Sequence, residues 1–304
     1  MSFTVDTAFA QRFADMILAL AQEEAEGWRN SVRERPIQGA KAYNIDRGGG
    51  VEMTPITSRH ADTVNTFIPH SRRKLTVLSY GLAEIIDDID EVQMLVDPQS
   101  FYTQQFAKAW NRRLARTITT AMLGNALAVA NDDSTTNVAL PAGQQIANGG
   151  TNMTLAKLRQ ANRILDVNGF PRRDRHIAVS PFAIEKLLSD SQFTSGDFNS
   201  LGNVMSGGDM NGKNYYGFQW HITTDALGGG AAMADPILPK SGNIRTCIAW
   251  YKDSVTCGIS RDLQVEVPRD PTLWNNRRPM VKTVLGAVRN EDEGVVSVAI
   301  DESA

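Results

Sequence analysis

The sequence has 304 residues, 42% hydrophobic and 21% charged, with 31 Lys and Arg against 34 Asp and Glu for a net charge of −3. That composition buries a sizeable core and excludes a disordered chain, and the slight acidic excess argues against a dedicated nucleic-acid-binding module, leaving only local basic patches. Cys247 and Cys257 are too few for a disulfide framework or a four-ligand zinc site and suit a reducing cytoplasm; no apolar run approaches the roughly 18 residues that span a bilayer, so a soluble chain of two units, or one large one, is expected.

From the N-terminus, Phe9, Phe13, Met16, Ile17 and Leu20 share one face of an amphipathic helix. The stretch has no basic leading region and Asp15 interrupts it, which argues against a signal peptide. Such a helix either packs on its own domain or seeks a partner. Gly48, Gly49 and Gly50 then break the chain. Two period-2 stretches, 51–57 and 72–78, enclose a segment rich in Thr, Asn, Pro and His, a pattern that predicts a long hairpin with an elaborated tip. A ribbon of that length is marginal alone and should lie against something else. The acidic run 84–91 lacks the glycine and terminal glutamate of a calcium loop. It reads as a solvated face over Ile85, Ile86 and Ile89, or as the acid half of an intermolecular contact.

Asp97-Pro98 predicts a helix start, the carboxylate capping free N–H groups and the proline occupying the first turn. The helix should run to about Leu123, a rod of about 39 Å. Phe106, Trp110, Leu114, Ile118 and Met122 recur on its core face, while Lys108, Arg112 and Arg116 form a basic stripe, either solvated or facing acid or phosphate. Thr154 caps a further helix carrying Leu155, Leu158, Ala161 and Leu165, stopped by Gly169 and Pro171. A short strand at 176–179 follows, and Ser180-Pro181 opens a helix bearing Phe182, Ile184, Leu187 and Leu188. Residues 192–214 read as a surface loop. Strands at 218–223, 246–251, 255–259, 263–267, 280–288 and 295–300 predict a C-terminal antiparallel sheet, and the whole an α+β fold.

Concentrated chemistry is missing from this pattern. Residues 207–214 fit a phosphate-loop spacing until Asn214, which has no hydroxyl for magnesium, and the strand-to-helix context that the motif needs is missing. His60, His70, His176 and His221 are scattered without metal-ligand spacing, and His176 reads as a structural histidine. There is no G-x-S-x-G elbow. No catalytic, cofactor-binding or metal residue is assigned, and no cofactor is expected.

The order of parts resembles the major capsid proteins of tailed bacteriophages, with the Hong Kong 97-type fold. The resemblance rests on Ser58-Arg59-His60-Ala61-Asp62-Thr63, Pro69-His70-Ser71-Arg72-Arg73, Ile86-Asp87-Asp88-Ile89-Asp90-Glu91-Val92 and Asp97-Pro98. It continues in Leu155-Ala156-Lys157-Leu158-Arg159-Gln160-Ala161, Ile164-Leu165-Asp166 and Ala178-Val179-Ser180-Pro181. It implies an N-arm over 1–39, an extended E-loop over 40–80, a peripheral domain over 81–139 with its spine helix at 98–123, an axial domain over 140–260, and C-terminal strands over 261–304 that return to the peripheral domain. The implied function is a coat protein, made in the host cytoplasm, that self-assembles as pentamers and hexamers into the icosahedral head around the genome. Scaffold, portal and decoration proteins are implied partners, contact with packaged DNA would be diffuse, and no membrane is involved. Some members of the fold cross-link neighbours through a lysine; Lys41 and Lys74 are available, but no motif for that chemistry is present.

A shell subunit must offer heterologous patches that close into rings. Candidate inter-subunit contacts are Arg59, His60, Arg72, Arg73, Lys74, Glu84, Asp87, Asp88, Asp90 and Glu91, whose opposite charges would set register more than affinity. Two other readings stay open on the sequence: an encapsulin-like nanocompartment shell of the same fold, and a soluble phosphate-binding enzyme using residues 207–213.

Overall fold

Three turn signals read in the sequence fix three helices in the computed structural model, which describes residues 27–303 apart from 60, 61, 64, 87–97, 190–210, 213, 229–230 and 275. Helix α1 spans Pro98–Leu123, α2 Leu155–Val167 and α3 Pro181–Ser189. At α2 the Thr154 hydroxyl accepts from the Lys157 N–H, 3.3 Å away, and Gly169 ends the helix at φ +79°, a conformation that costs a glycine nothing. The predicted N-terminal helix, the Asp97 cap and most of the 192–214 loop lie outside the described residues.

A seven-stranded mixed sheet forms the centre. Its order is Gln145–Ile146, Val295–Asp301, Ile244–Tyr251, Arg175–Val179, Phe218–Ile222 and Asn214–Tyr215, with Lys240–Ser241 pairing on the side of Ile244–Tyr251. Period-2 alternation sorts its side chains. Ile177, Val179, Cys247, Ala249, Val296 and Val298 turn toward α2 and α3. Ala178, Ile248, Trp250 and Val295 turn the other way, toward Leu114, Ile118 and Met122 of α1 and the apolar Met233, Ile237 and Leu238. Both faces are covered, which is why every residue of Arg175–Val179 is buried. The two thiols, Cys247 and Cys257, are buried and pushed up to about 12, which makes them inert packing groups.

The expected single C-terminal sheet is divided. Val255–Glu266 and Met280–Arg289 leave the central sheet and pair with each other, flanked by Arg33–Pro36 and Leu78–Ala83. Two short turns, Lys252–Ser254 and Asp292–Gly294, carry the chain from one sheet to the other and pack together: the Asn290 N–H reaches the Ser254 carbonyl at 2.8 Å, and a Cβ on Gly294 would sit 1.8 Å from the Ser254 Oγ. The strands expected at 255–259 and 263–267 are one strand, with register shifts near Arg261.

A third sheet, ordered Ala42–Gly48, His70–Thr76, Ala126–Val129 and Thr135–Val138, holds the hairpin. Its first arm ends on the first of the three glycines, correcting the expected arm at 51–57. Ile45, Leu75 and Ala126 alternate into a small core with Ile37, Val77 and Val288, whereas Val51, Met53 and Ile56 are exposed. The hairpin crosses the four-stranded sheet where Gly258 faces Gly286 in register. A Cβ on Gly286 would lie 2.1 Å from the Thr76 carbonyl oxygen, so this crossing requires glycine. Two further expectations shift: Phe182 and Leu188 of α3 are exposed while Ala183 and Leu187 face the core, and Ile85 is exposed beside a buried Ile86.

Candidate assembly surfaces

The root of the hairpin is held by a buried ionic cluster. Arg289, with no exposed surface, donates to the carbonyls of Met122 and Gly124 at the end of α1, at 2.7 and 2.8 Å, and to the Val138 carbonyl at 2.9 Å. Its Nε meets Asp292 at 2.6 Å, and the other oxygen of that carboxylate takes Nη2 of Arg73 at 2.5 Å. A guanidinium at a helix C-terminus satisfies carbonyls that lack intrahelical donors and complements the helix dipole. Burial lowers the pKa of Arg73 from its ordinary value, with Asp292 opposing the shift. Arg47 adds a hydrogen bond to the Asn290 carbonyl. The cluster ties together the hairpin, α1 and the 292–294 turn.

Beyond that root the chain carries apolar side chains into solvent. Met53, Ile56 and Phe67 are 101%, 87% and 89% exposed, and Val51 and Ile68 are about half exposed. A second projection stands between the paired segments Arg269–Asp270 and Asn276–Arg277, where Trp274, at φ +55°, is 94% exposed. Isolated apolar residues on a surface mean little, but several on one extension are an interaction signal. Trp274 is a surface residue that the sequence reading missed, although the flanking Pro271 and Asn276 mark it as a turn.

The charged candidates divide. Arg72 pairs across the strands with Asp46 at 2.9 Å in solvent, a contact of little energetic weight. Arg73 is turned inward to Asp292, away from any neighbour. Lys74 is partly buried, and Arg59 and Glu84 are exposed. His60, Asp87, Asp88, Asp90 and Glu91 lie outside the described residues. The basic stripe of α1, which the sequence left as either solvated or facing acid or phosphate, lies under a second layer. Arg112 is buried, Lys108 partly so, and Arg116 pairs with Asp235 at 3.5 Å beside Met233. Thr119 of the same helix donates to the Ile237 carbonyl at 2.8 Å, which fixes that layer.

The scattered histidines are partly gathered. Parallel pairing of Arg175–Val179 with Phe218–Ile222 places His176 Nδ1 3.1 Å from His221 Nε2, both buried and enclosed with Trp28 and Trp250, whose rings stack at 5.4 Å. Burial lowers the two imidazoles to about 4 and about 3, so both are neutral, and the pair packs as part of the core. No spacing in the sequence signals this pair. Of the string that resembled a phosphate loop, Asn214–Tyr215 is a strand and not the start of a helix. Among the described residues no three His, Cys, Asp or Glu side chains gather as a metal site.

The sequence matches the family model described as phage capsid protein over residues 5–302. Its fold is similar to the capsid structure of the cyanophage P-SCSP1u, at 18% identity and a TM-score of 0.69, covering 99% of this chain and 95% of that one. It is also similar to a structure from Mycobacterium phage Che8, at 16% identity, TM-score 0.67 and 97% coverage of both chains. The capsid of Helicobacter pylori bacteriophage KHP30 matches at 11% identity and TM-score 0.65, over 98% of this chain and 96% of that one. No curated protein matches the sequence.

Proposed function

Since the chain belongs to the phage capsid protein family, as a structural shell protein of the virion and not an enzyme, we propose that it closes the shell by laying its hairpin tip and the Trp274 projection on neighbouring copies. The observation that carries this is the exposure of Met53, Ile56 and Phe67 at the end of a hairpin whose root is fixed by buried ion pairs. Heterologous contact of this kind closes into rings, and pentamers and hexamers of the chain are the units of an icosahedral shell. In that reading residues 1–39 are the N-arm, 40–80 the E-loop, α1 the spine of a peripheral domain, and the central sheet with α2 and α3 the axial domain. Scaffold, portal and decoration proteins complete the partners, and synthesis in the host cytoplasm precedes assembly. Contact with the packaged genome is diffuse and electrostatic, since a net charge of −3 gives no general attraction for DNA.

Replacing residues 51–68 with a short turn tests the role of the hairpin. The full chain should form large particles by light scattering and negative-stain microscopy, and the shortened chain should remain folded and soluble without them. Intact particles from the shortened chain would overturn the reading.

A further inference from the structure

A cleft of about 410 Å³ opens beside α2, lined by Arg159, Asn162, Arg163, Asp166, Arg172, Arg175 and Tyr216. Its floor is rigid. Arg175, whose side chain is 1% exposed, spends its guanidinium on the Pro171 and Phe170 carbonyls, on Asn162 at 3.0 Å and on Asp166 at 2.7 Å. Asn162 in turn donates to the Tyr216 carbonyl at 2.9 Å, holding that residue in the left-handed region at φ +53°. The walls are cationic and underused. Arg159 gives only its Nε, to the Tyr216 hydroxyl at 3.0 Å. That hydroxyl, having accepted, keeps its own proton without an acceptor among the described residues. Arg163, one helical turn from Arg159, makes no hydrogen bond or ion pair among the described residues. Arg172 gives one edge to Asp166 and is 83% exposed.

Four arginines against the single carboxylate of Asp166 leave a concentrated positive charge in a chain whose net charge is −3. We propose that this cleft binds a phosphate group through Arg159, Arg163, Arg172 and the Tyr216 hydroxyl. A planar carboxylate is matched by one guanidinium fork, as Asp166 already shows with Arg172. Donors arriving from two turns of a helix, from the loop after it and from a facing turn surround a volume instead, and that suits a tetrahedral group with several oxygens. The phosphate is either a duplex backbone phosphodiester or a free phosphate or pyrophosphate ion. The assignment is independent of how the shell closes, because every residue named belongs to one copy.

The test uses the full-length chain kept unassembled. Anisotropy with a labelled random-sequence duplex and calorimetry with pyrophosphate are compared between the parent, Arg163→Gln and Arg159→Gln/Arg163→Gln. The double variant should bind about tenfold more weakly, and for a duplex the slope of log K on log salt should fall by about two, with Arg163→Gln intermediate. Loss of the duplex alone identifies a backbone phosphodiester, and loss of pyrophosphate alone a free ion; either upholds the site. The melting temperature of Arg163→Gln should equal that of the parent, since its side chain makes no hydrogen bond or ion pair among the described residues. No binding of either probe by the parent, affinities unchanged in the double variant, or displacement of both probes by a polyglutamate peptide at lower concentration than by phosphate would overturn it.

Discussion

The two ends of the hairpin obey opposite rules. At the root, Arg73 and Arg289 meet one buried aspartate, Arg289 also takes the carbonyls that end a helix, and two paired glycines let the backbone cross a sheet at contact distance. At the tip, Met53, Ile56 and Phe67 are in water, and among the described residues the arms are joined no further than the Gly49 N–H on the Pro69 carbonyl. The root is satisfied within one copy. The apolar side chains of the tip are not covered by the described residues of that copy, which is the condition expected of a surface built for another copy.

The largest effect should come from the root. Arg289→Met leaves Asp292 with Arg73 alone and the terminal carbonyls of α1 without their buried donor, and should cost about 3–5 kcal/mol, measured as a lowered denaturation midpoint. A loss under about 1 kcal/mol would mean that the root is not held by charge. Gly286→Ala follows. Its Cβ meets the Thr76 backbone and not a flexible side chain, so a cost of about 1–3 kcal/mol is expected in the same measurement.

Acidification asks whether the core gives way before the root. The pKa values of His176 and His221 are lowered to about 4 and about 3, while an unfolded imidazole titrates near 6.5. Below pH ~6.5 the unfolded chain takes up protons that the folded chain refuses. Stability is therefore full above pH ~7 and falls by about 1 kcal/mol per unit per histidine as the pH drops toward the folded values. His221→Phe should flatten that slope between pH ~6.5 and ~4; an unchanged slope places the acid sensitivity elsewhere. The smallest stability effect belongs to the tip. Met53→Ser, Ile56→Ser and Phe67→Ser together should alter the midpoint by less than about 0.5 kcal/mol while abolishing particles, and a large loss of stability would show that the tip is packed within its own copy.

Local signals determined much of this protein. Asp97-Pro98, the four-residue spacing from Phe106 to Met122, and Thr154 with Gly169 defined α1 and α2 to within a residue or two, because caps and helical periodicity act over a few neighbours. The order of motifs carried the family, and the hairpin was legible as a pair of extended arms with an elaborated tip. Which arm pairs was not legible, because alternation at 51–57 looks the same as alternation at 42–48 until Ile37, Leu75 and Val288 supply a core for one of them. Nor could spacing place Arg73 inside and Arg72 outside, assign Arg112 to a covered face, bring His176 to His221, or set Tyr216 against Arg159 to close one side of a cleft. Each depends on strands or helices that meet far apart in sequence, and burial and charge pairing are decided by those meetings; residue type offers only the candidates.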